Sequence, residues 1–329
     1  MLRILDSGPE TLVQDWAGRP GHLDEGISPS GAMDHFAIRA ANLIVDNPLN
    51  EAALETAGGF LTAEFGMDAV IAVTGADFGP KLNGASIPLW EAVKVRKGEV
   101  FTSGNMGGAT LGFRQCLAIA GGIDVPLYLG SKATTTYGGF GGYDGRALQK
   151  GDEIKLLKPG KNLETLAGRK LKADLIPEYT KNWKMRATPG PNGAPDYFSE
   201  EGMEQLYAAE FRSQVFSDRS GIRLTGPELG WAEERKVEGR HPSTLMSEHG
   251  YSVPGALNIS GDTPILLPRE GPTMGGYICA MTVIYVDQWM MGQIVPGRDT
   301  VSFLCCTPDE AAKLRREQNG LFQTGSIIR

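Results

Sequence analysis

Glycine and proline interrupt this chain so often that long helices and long strands have nowhere to run. The 44 glycines and 20 prolines make up about a fifth of the 329 residues and follow no repeat period. Proline fixes φ and lacks an N–H, while glycine makes any regular element entropically costly. Such punctuation fits many short strands joined by tight turns, hence a mainly β fold with a few helices. Residues 8–34 alone hold five Gly and three Pro in 27 residues. Between these breakers stand Gln14, Asp15, Trp16, Arg19, His22, Asp24, Glu25, Met33 and Asp34. On composition alone this stretch reads equally as a solvated connector or as an ordered polar loop of the kind on which sites are built.

The elements follow from periodicity. An apolar run at 2–5 starts the chain as a strand. Asp34 stands where a helix needs its cap. Phe36, Ala37, Ala40, Ala41, Ile44 and Val45 then form one apolar face, which ends at Asn47-Pro48. From residue 60 the pattern becomes strand-like, with short runs at 69–74, 86–89, 92–96, 109–111, 114–120 and 153–157. Asn83-Gly84 is the residue pair of a type I′ hairpin turn. The polar stretch 158–178 separates a first β-rich subdomain, 1–160, from a second, 161–308. In the second, 185–191 reads as a strand running into a Pro/Gly turn. Ser199 caps a helix running to 211, with Met203, Leu206, Tyr207 and Phe211 as its buried stripe. Strands are expected again at 214–216, 221–225, 256–259, 264–267, 278–286 and 301–305. Residues 309–318 place acids before bases, as the helix dipole favours, and read as an exposed helix within a tail of 309–329.

Several function classes fall away. A net charge of -7 leaves no basic face to neutralise phosphates, so nucleic acid is not an expected partner. No apolar span reaches membrane length, and the opening run is too short for a signal peptide, so a cytoplasmic location is expected. Cys116, Cys279, Cys305 and Cys306 lack C-x-x-C spacing and read as free thiols. The histidines at 22, 35, 241 and 249 form no metal-binding cluster, so no metal is expected. There is no G-x-x-x-x-G-K-[ST], and GGFGGYDG at 138–145 lacks dinucleotide spacing and reads as a turn. Pro29 spoils the only approach to a G-x-S-x-G elbow.

What remains is a set of Gly/Pro-rich loops with isolated polar residues: 8–34, 74–77, 131–145, 217–221, 241–255 and 269–276. Backbone N–H groups in such loops can hold a carboxylate or a developing oxyanion. GPTMGG at 271–276 is the foremost candidate, because adjacent glycines admit a ligand close to the backbone. A plain hairpin connection is the other reading.

Taken in order, TLVQDWAGRPG, GISPSGAMDHFAIRAANLIVDNP, VTGADF, AIAGGIDVPLYLGSKAT, GRALQKGDEI, SDRSGIRLTGP and GDTPILLPREGPTMGGYICAMTVIYVDQWMMGQIVPGRDTVSF resemble the biotin-dependent carboxyltransferase family. That family includes the carboxyltransferase domain of urea carboxylase (urea amidolyase), the C-subunit of 5-oxoprolinase, also described as allophanate hydrolase subunit 2, and a partner protein of a sporulation-kinase regulator. The resemblance covers roughly residues 2–308. Its second half is similar to the urea carboxylase type through PGPNGAPDYFSEEGMEQLY, GRHPS and GPTMGGYICAMT. One segment departs. Where that type carries HPS-Asn-x-His-Asp-Tyr, this chain has HPSTLMSEHGYSVPG, with Glu248-His249 near the place of the His-Asp pair.

The resemblance implies two cyclophilin-like β-barrel-type subdomains that move a carboxyl group from carboxybiotin to a urea-like or amide nitrogen. It implies a hetero-oligomer of this chain with a smaller carboxyltransferase subunit. Biotin is expected to arrive on a partner carrier protein charged by a biotin carboxylase, because Lys184-Met185 sits outside any M-K-M site. For the chemistry, His249 with Glu248 is expected as substrate contact or general base, and Arg19 or Arg219 as a cationic fork for a carboxylate. Gln14, Asp15, Gly75, Asp77, Tyr137, His241, Ser243, Gly275 and Gly276 are expected to bind substrate or biotin, with Tyr137 stacking on the flat ring. Two rival readings stand: a subunit of an ATP-dependent 5-oxoprolinase, and a non-enzymatic regulatory partner.

Overall fold

In the computed structural model, residues 1–244, 252–273 and 275–329 are described. The chain divides into two compact units. Met1–Pro20, Pro29–Tyr179 and Asn319–Arg329 make the first, and Gly21–Ser28 with Thr180–Gln318 the second.

The first unit lays down β1 (Leu2–Ser7), β2 (Glu10–Gln14), helix α1 (His35–Ile44), β3 (Ala53–Ala57), β4 (Leu61–Phe65) and β5 (Ala69–Gly75). There follow β6 (Lys81–Leu82), β7 (Ala85–Ser86), β8 (Ala92–Val95), β9 (Val100–Thr102), β10 (Arg114–Ile119) and β11 (Glu153–Ile154). They pair into two antiparallel sheets, ordered β11-β1-β4-β9-β6-β7 and β2-β3-β10-β5-β8. Period-2 alternation gives both sheets an apolar face, and the two faces share one core. Leu2, Ile4, Leu61, Phe65 and Phe101 come from one sheet, and Val13, Leu54, Ile71, Leu117 and Ile119 from the other. Helix α1 packs on β5 and β10, where Thr74 Oγ1 donates to the Ala37 carbonyl at 2.8 Å. Asp34 caps this helix as expected, its carboxylate accepting from the Phe36 and Ala37 N–H groups. Asn83 and Gly84, both at positive φ, turn β6 into β7 as expected. Beyond the sheets lie α2 (Leu163–Leu166) and β12 (Lys170–Leu171).

The second unit comprises β13 (Asn182–Pro189), α3 (Glu200–Ala208), β14 (Glu210–Ser213), β15 (Ile222–Thr225), β16 (Ala256–Ser260), β17 (Thr263–Leu266), β18 (Ile278–Val283) and β19 (Thr300–Cys305). Its strands close into a barrel, β13-β18-β16-β17-β15-β14-β19, sealed by parallel pairing of β13 with β19. Aromatic side chains fill it. Trp183 meets Trp289 edge to face at 5.9 Å, Phe211 lies 5.7 Å from Phe303, and Trp183 Nε1 donates to Asp299 at 3.0 Å. Burying each such ring contributes about 2–3 kcal/mol relative to exposure. Helix α4 (Pro308–Leu321) buries no residue, as its charge pattern implies, and β20 (Ile327–Ile328) pairs with β12. No helix of the described residues is long and apolar enough to cross a membrane.

The mainly β class is therefore what the chain adopts, but several elements differ from expectation. Residues 8–34 are not one loop, since Thr11, Leu12 and Val13 join β2 to β3. No strand forms at 109–111. Helix α3 ends at Ala208 rather than 211, because Phe211 is taken into β14 against Val301. The strand placed at 214–216 is that same β14, earlier in sequence, which leaves Val215 and Phe216 exposed. β18 stops at Val283 and gives way to a 3-10 segment, Tyr285–Gln293. All four cysteines are free, with Cys305 exposed and the other three buried.

Candidate active site

In the first unit, β2 delivers Gln14 and Asp15 to the start of the opening loop. The Asp15 carboxylate accepts from Ser131 Oγ at 2.9 Å, the Lys132 N–H at 2.7 Å and the Gly18 N–H at 3.1 Å. Burial pushes this carboxyl up from its ordinary value, against the downward pull of Lys132 N–H, Ser131 and Arg19. Arg19 is 1% exposed. Its Nε donates to the Tyr128 carbonyl at 3.1 Å and its Nη1 to Thr135 Oγ1 at 2.6 Å, while Nη2 donates to the Ala133 carbonyl. The guanidinium also faces the Phe140 ring at 5.1 Å and the Tyr128 ring at 5.9 Å. Gln14 Nε2 donates to the Thr134 carbonyl at 3.1 Å, and its Oε1 is buried without a hydrogen-bond partner among the described residues. Backbone bonds close the loop, from Arg19 N–H to Pro29 O at 2.7 Å and from Ala32 N–H to Asp15 O at 2.9 Å.

This network explains the glycine-rich stretch at 138–145. A Cβ on Gly141 would stand 2.3 Å from Arg19 Nη2 and 2.2 Å from the Ala133 carbonyl. Gly141 is required because backbone and guanidinium share that space. Gln14, Asp15 and Arg19 are thus brought together, and Tyr137, 73% exposed, sits on the same Thr135-to-Phe140 turn. Gly75 and Asp77 lie apart from this network in the hydrogen-bond pattern. Gly75, at φ +92, ends β5 opposite Gln115 of β10, and a Cβ there would meet Arg114 O at 2.5 Å. Asp77 closes an Asx-turn on the Gly79 N–H at 2.9 Å.

In the second unit, the Arg219 Nε donates to Glu270 Oε1 at 2.7 Å, with both side chains buried. The Arg219 carbonyl accepts from the Arg269 and Glu270 N–H groups at 3.2 and 2.8 Å. A buried ion pair in a doubly bonded backbone frame fixes Arg269 and Glu270 against Arg219. Gly275 is exposed and Gly276 half-buried.

His241 has a second polar surrounding. Its Nδ1 accepts from the Ser243 N–H at 3.2 Å and contacts Ser243 Oγ at 2.8 Å, and its Nε2 lies 3.0 Å from Asp262 Oδ1. An Nδ1 that accepts a backbone N–H carries no proton, so Nε2 bears it and donates to Asp262. The imidazole also meets Trp231 edge-on at 6.1 Å, and its side chain is 37% exposed. Glu248 and His249 lie outside the described residues.

Glu270, Asp262, Ser131 and Thr135 are partners of the candidate residues that the sequence did not single out. Each pairs with a residue distant in sequence, and Glu270 is 51 positions from Arg219, so no local motif announces it. Among the described residues, no group of three or more His, Cys, Asp or Glu is placed to hold a metal ion.

Comparison with known proteins gives the arrangement its family. The family described as carboxyltransferase domain, subdomain A and B, matches residues 25–304. The urea amidolyase of Saccharomyces cerevisiae is 37% identical over 323 residues, which is 97% of this chain and 17% of that protein. The C-subunit of the Escherichia coli 5-oxoprolinase is 32% identical over 324 residues, 98% of this chain and 97% of its own length. Among solved structures, Kluyveromyces lactis urea amidolyase superposes with a TM-score of 0.90 at 34% identity, covering 100% of this chain and 20% of that one. This chain therefore spans about a sixth to a quarter of the urea amidolyases and urea carboxylase it matches. It belongs to the carboxyltransferase domain family, subdomains A and B.

Proposed function

We propose that this chain is the carboxyltransferase component that moves a carboxyl group from carboxybiotin to a nitrogen of a urea-like or amide acceptor. The observation that carries the reading is 37% identity to a urea amidolyase across 97% of this chain. When bound, carboxybiotin supplies an activated carboxyl group and a ureido oxygen that gains negative charge as the group leaves. Both need N–H donors, and the donor set fits. Gly275, exposed, and Gly276, half-buried, offer backbone amides.

The residues divide into supports and contacts. Asp15 and Arg19 are positioning residues, since their polar atoms bind the 128–135 segment. Gln14 is fully buried and donates to the Thr134 carbonyl, so it supports the same segment. Tyr137 presents an exposed ring for a flat ureido bicycle. His241, with its Nε2 proton directed to Asp262, and Ser243 contact the acceptor. His249, beside Glu248, is the base that removes the acceptor's proton. A smaller carboxyltransferase subunit, a biotin carrier and a biotin carboxylase complete the assembly.

A second reading has its own support. The 5-oxoprolinase relative matches this chain end to end, at 97% of its length, and such a subunit serves lactam opening. A pull-down from native extract separates the two. A co-purifying biotinylated chain supports carboxyl transfer, and its absence with recovery of 5-oxoproline hydrolysis supports the second. Replacing His249 by Ala should then abolish carboxyl transfer while the assembly still forms. Unchanged turnover would remove His249 from the mechanism.

A further inference from the structure

The outward face of the six-stranded sheet in the first unit carries a row of side chains that carboxyl transfer does not use. Residues directly opposite in antiparallel strands share a face. Register aligns Asp6 with Thr62, Thr62 with Thr102, and Thr102 with Lys81, across β1, β4, β9 and β6. Their neighbours Leu61, Ala63 and Phe101 point into the core, so this row points away from it. The same four residues line a cleft of about 560 Å³, together with Phe60, Phe78 and Asn105.

Three observations distinguish this row from an ordinary solvated face. First, the charges are held apart. In the adjacent row Arg3 and Glu64 stand opposite each other and pair, whereas Asp6 and Lys81 are separated by two threonines. Three strand spacings put their backbones about 14 Å apart. Second, the polar groups between and beside them are unused. Thr62, Thr102, Lys81 and Asn105 make no side-chain hydrogen bond or ion pair among the described residues. The Asp6 carboxylate is aimed by its Oδ1, which accepts from the Gly8 N–H at 3.0 Å, leaving Oδ2 available. Third, Phe60 is 46% exposed at φ +73, a left-handed backbone that a bulky residue adopts only at a cost. Its N–H donates to Gly104 O at 2.8 Å, so the ring is fixed at the cleft wall instead of the core.

We propose that this cleft binds a short linear zwitterion of the peptide class, about three residues long. Its ammonium meets Asp6, its carboxylate meets Lys81, its backbone crosses Thr62 and Thr102, and an apolar middle side chain lies against Phe60 and Phe78. An extended chain advances about 3.3–3.6 Å per residue, so a tripeptide places its end charges about 8–10 Å apart. One hydrogen bond of about 3 Å at each end then spans the row. A free amino acid is too short to engage both ends at once.

The test titrates the tripeptide Ala-Phe-Ala, its N-acetyl form and its C-terminal amide into the intact chain, by calorimetry or amide chemical shifts. The free tripeptide should saturate, and Lys81→Gln and Asp6→Asn should each weaken it by about two- to fivefold, the range of an exposed ion pair. Lys81→Gln should not further weaken the amide, and Asp6→Asn should not further weaken the acetylated form. Both positions are exposed, so folding is unaffected and can be checked by melting temperature. Equal binding of all three probes, indifference to both substitutions, or no saturation at about 10 mM, where binding is worth under about 3 kcal/mol, would overturn the proposal.

Discussion

The two units each bury an arginine in a loop, and they differ in what stands exposed beside it. Arg19 is enclosed by the Tyr128 and Ala133 carbonyls, Thr135 and two aromatic rings, with Asp15 bound into the same segment. Arg219 is paired with buried Glu270, and Gly275 and Gly276 of the same unit stand more open. His241, in the same unit, is half in water and holds both ring nitrogens to small polar partners. A buried cation with its donors turned onto the protein's own oxygens is a frame. A half-exposed imidazole and open glycine amides are groups a ligand can reach. On the proposed reading, the first loop is chiefly frame, and acceptor recognition belongs to the second unit.

The largest expected effect falls on the buried pair. Glu270→Ala leaves the Arg219 guanidinium buried opposite no carboxylate partner in Glu270's place, and should cost about 3–5 kcal/mol by denaturant midpoint. Combining it with Arg219→Met should recover most of that loss. If the double variant is as unstable as the single one, the pair is not the loop's anchor. Next, Arg19→Ala strands the Tyr128 and Ala133 carbonyls and should cost about 2–3 kcal/mol, with Arg19→Lys falling between it and the native chain. A stable Arg19→Ala protein that has lost only transfer would move Arg19 from frame to chemistry.

A smaller effect carries a pH signature. Burial raises the Asp15 carboxyl above 3.8, so the folded chain keeps that proton to higher pH than the unfolded chain does. The favourable contribution is present below 3.8 and is lost as pH rises through the folded value. Asp15→Asn does not titrate, so its stability relative to the native chain should rise over that window. A difference that runs the other way would mean that the Ser131 and Lys132 hydrogen bonds outweigh burial. The smallest stability change is expected for His241→Ala, under about 1 kcal/mol because its Asp262 partner is exposed. The same variant should raise KM for the acceptor, and an unchanged KM would take His241 out of recognition.

Local chemistry was legible in the sequence, and long-range pairing was not. Asp34 as a cap and Asn83-Gly84 as a hairpin turn rest on bonds within three residues, so residue type alone specifies them. Phe211 fits the helical period of Met203, Leu206 and Tyr207 and nevertheless leaves the helix. Pairing with β19 and packing on Phe303 outweigh the period. β2 was hidden because it is only five residues long in a stretch between Pro9 and Gly18, and its strand identity comes from β3. At the site, Gln14, Asp15 and Arg19 were visible as polar residues among breakers. Ser131, Thr135 and Glu270 were not, because each acquires its role only from a partner that the fold brings up.

Carboxyl transfer itself is tested most directly with N-carboxybiotin labelled with carbon-13 in its carboxyl group. The chain, assembled with its native partners, is mixed with this donor and with urea or a simple amide, and the label is followed by NMR. Loss of donor signal should accelerate only when acceptor is present, with the label appearing on the acceptor nitrogen. Donor decay at the buffer rate with every acceptor, in an assembly that opens 5-oxoproline, would contradict carboxyl transfer.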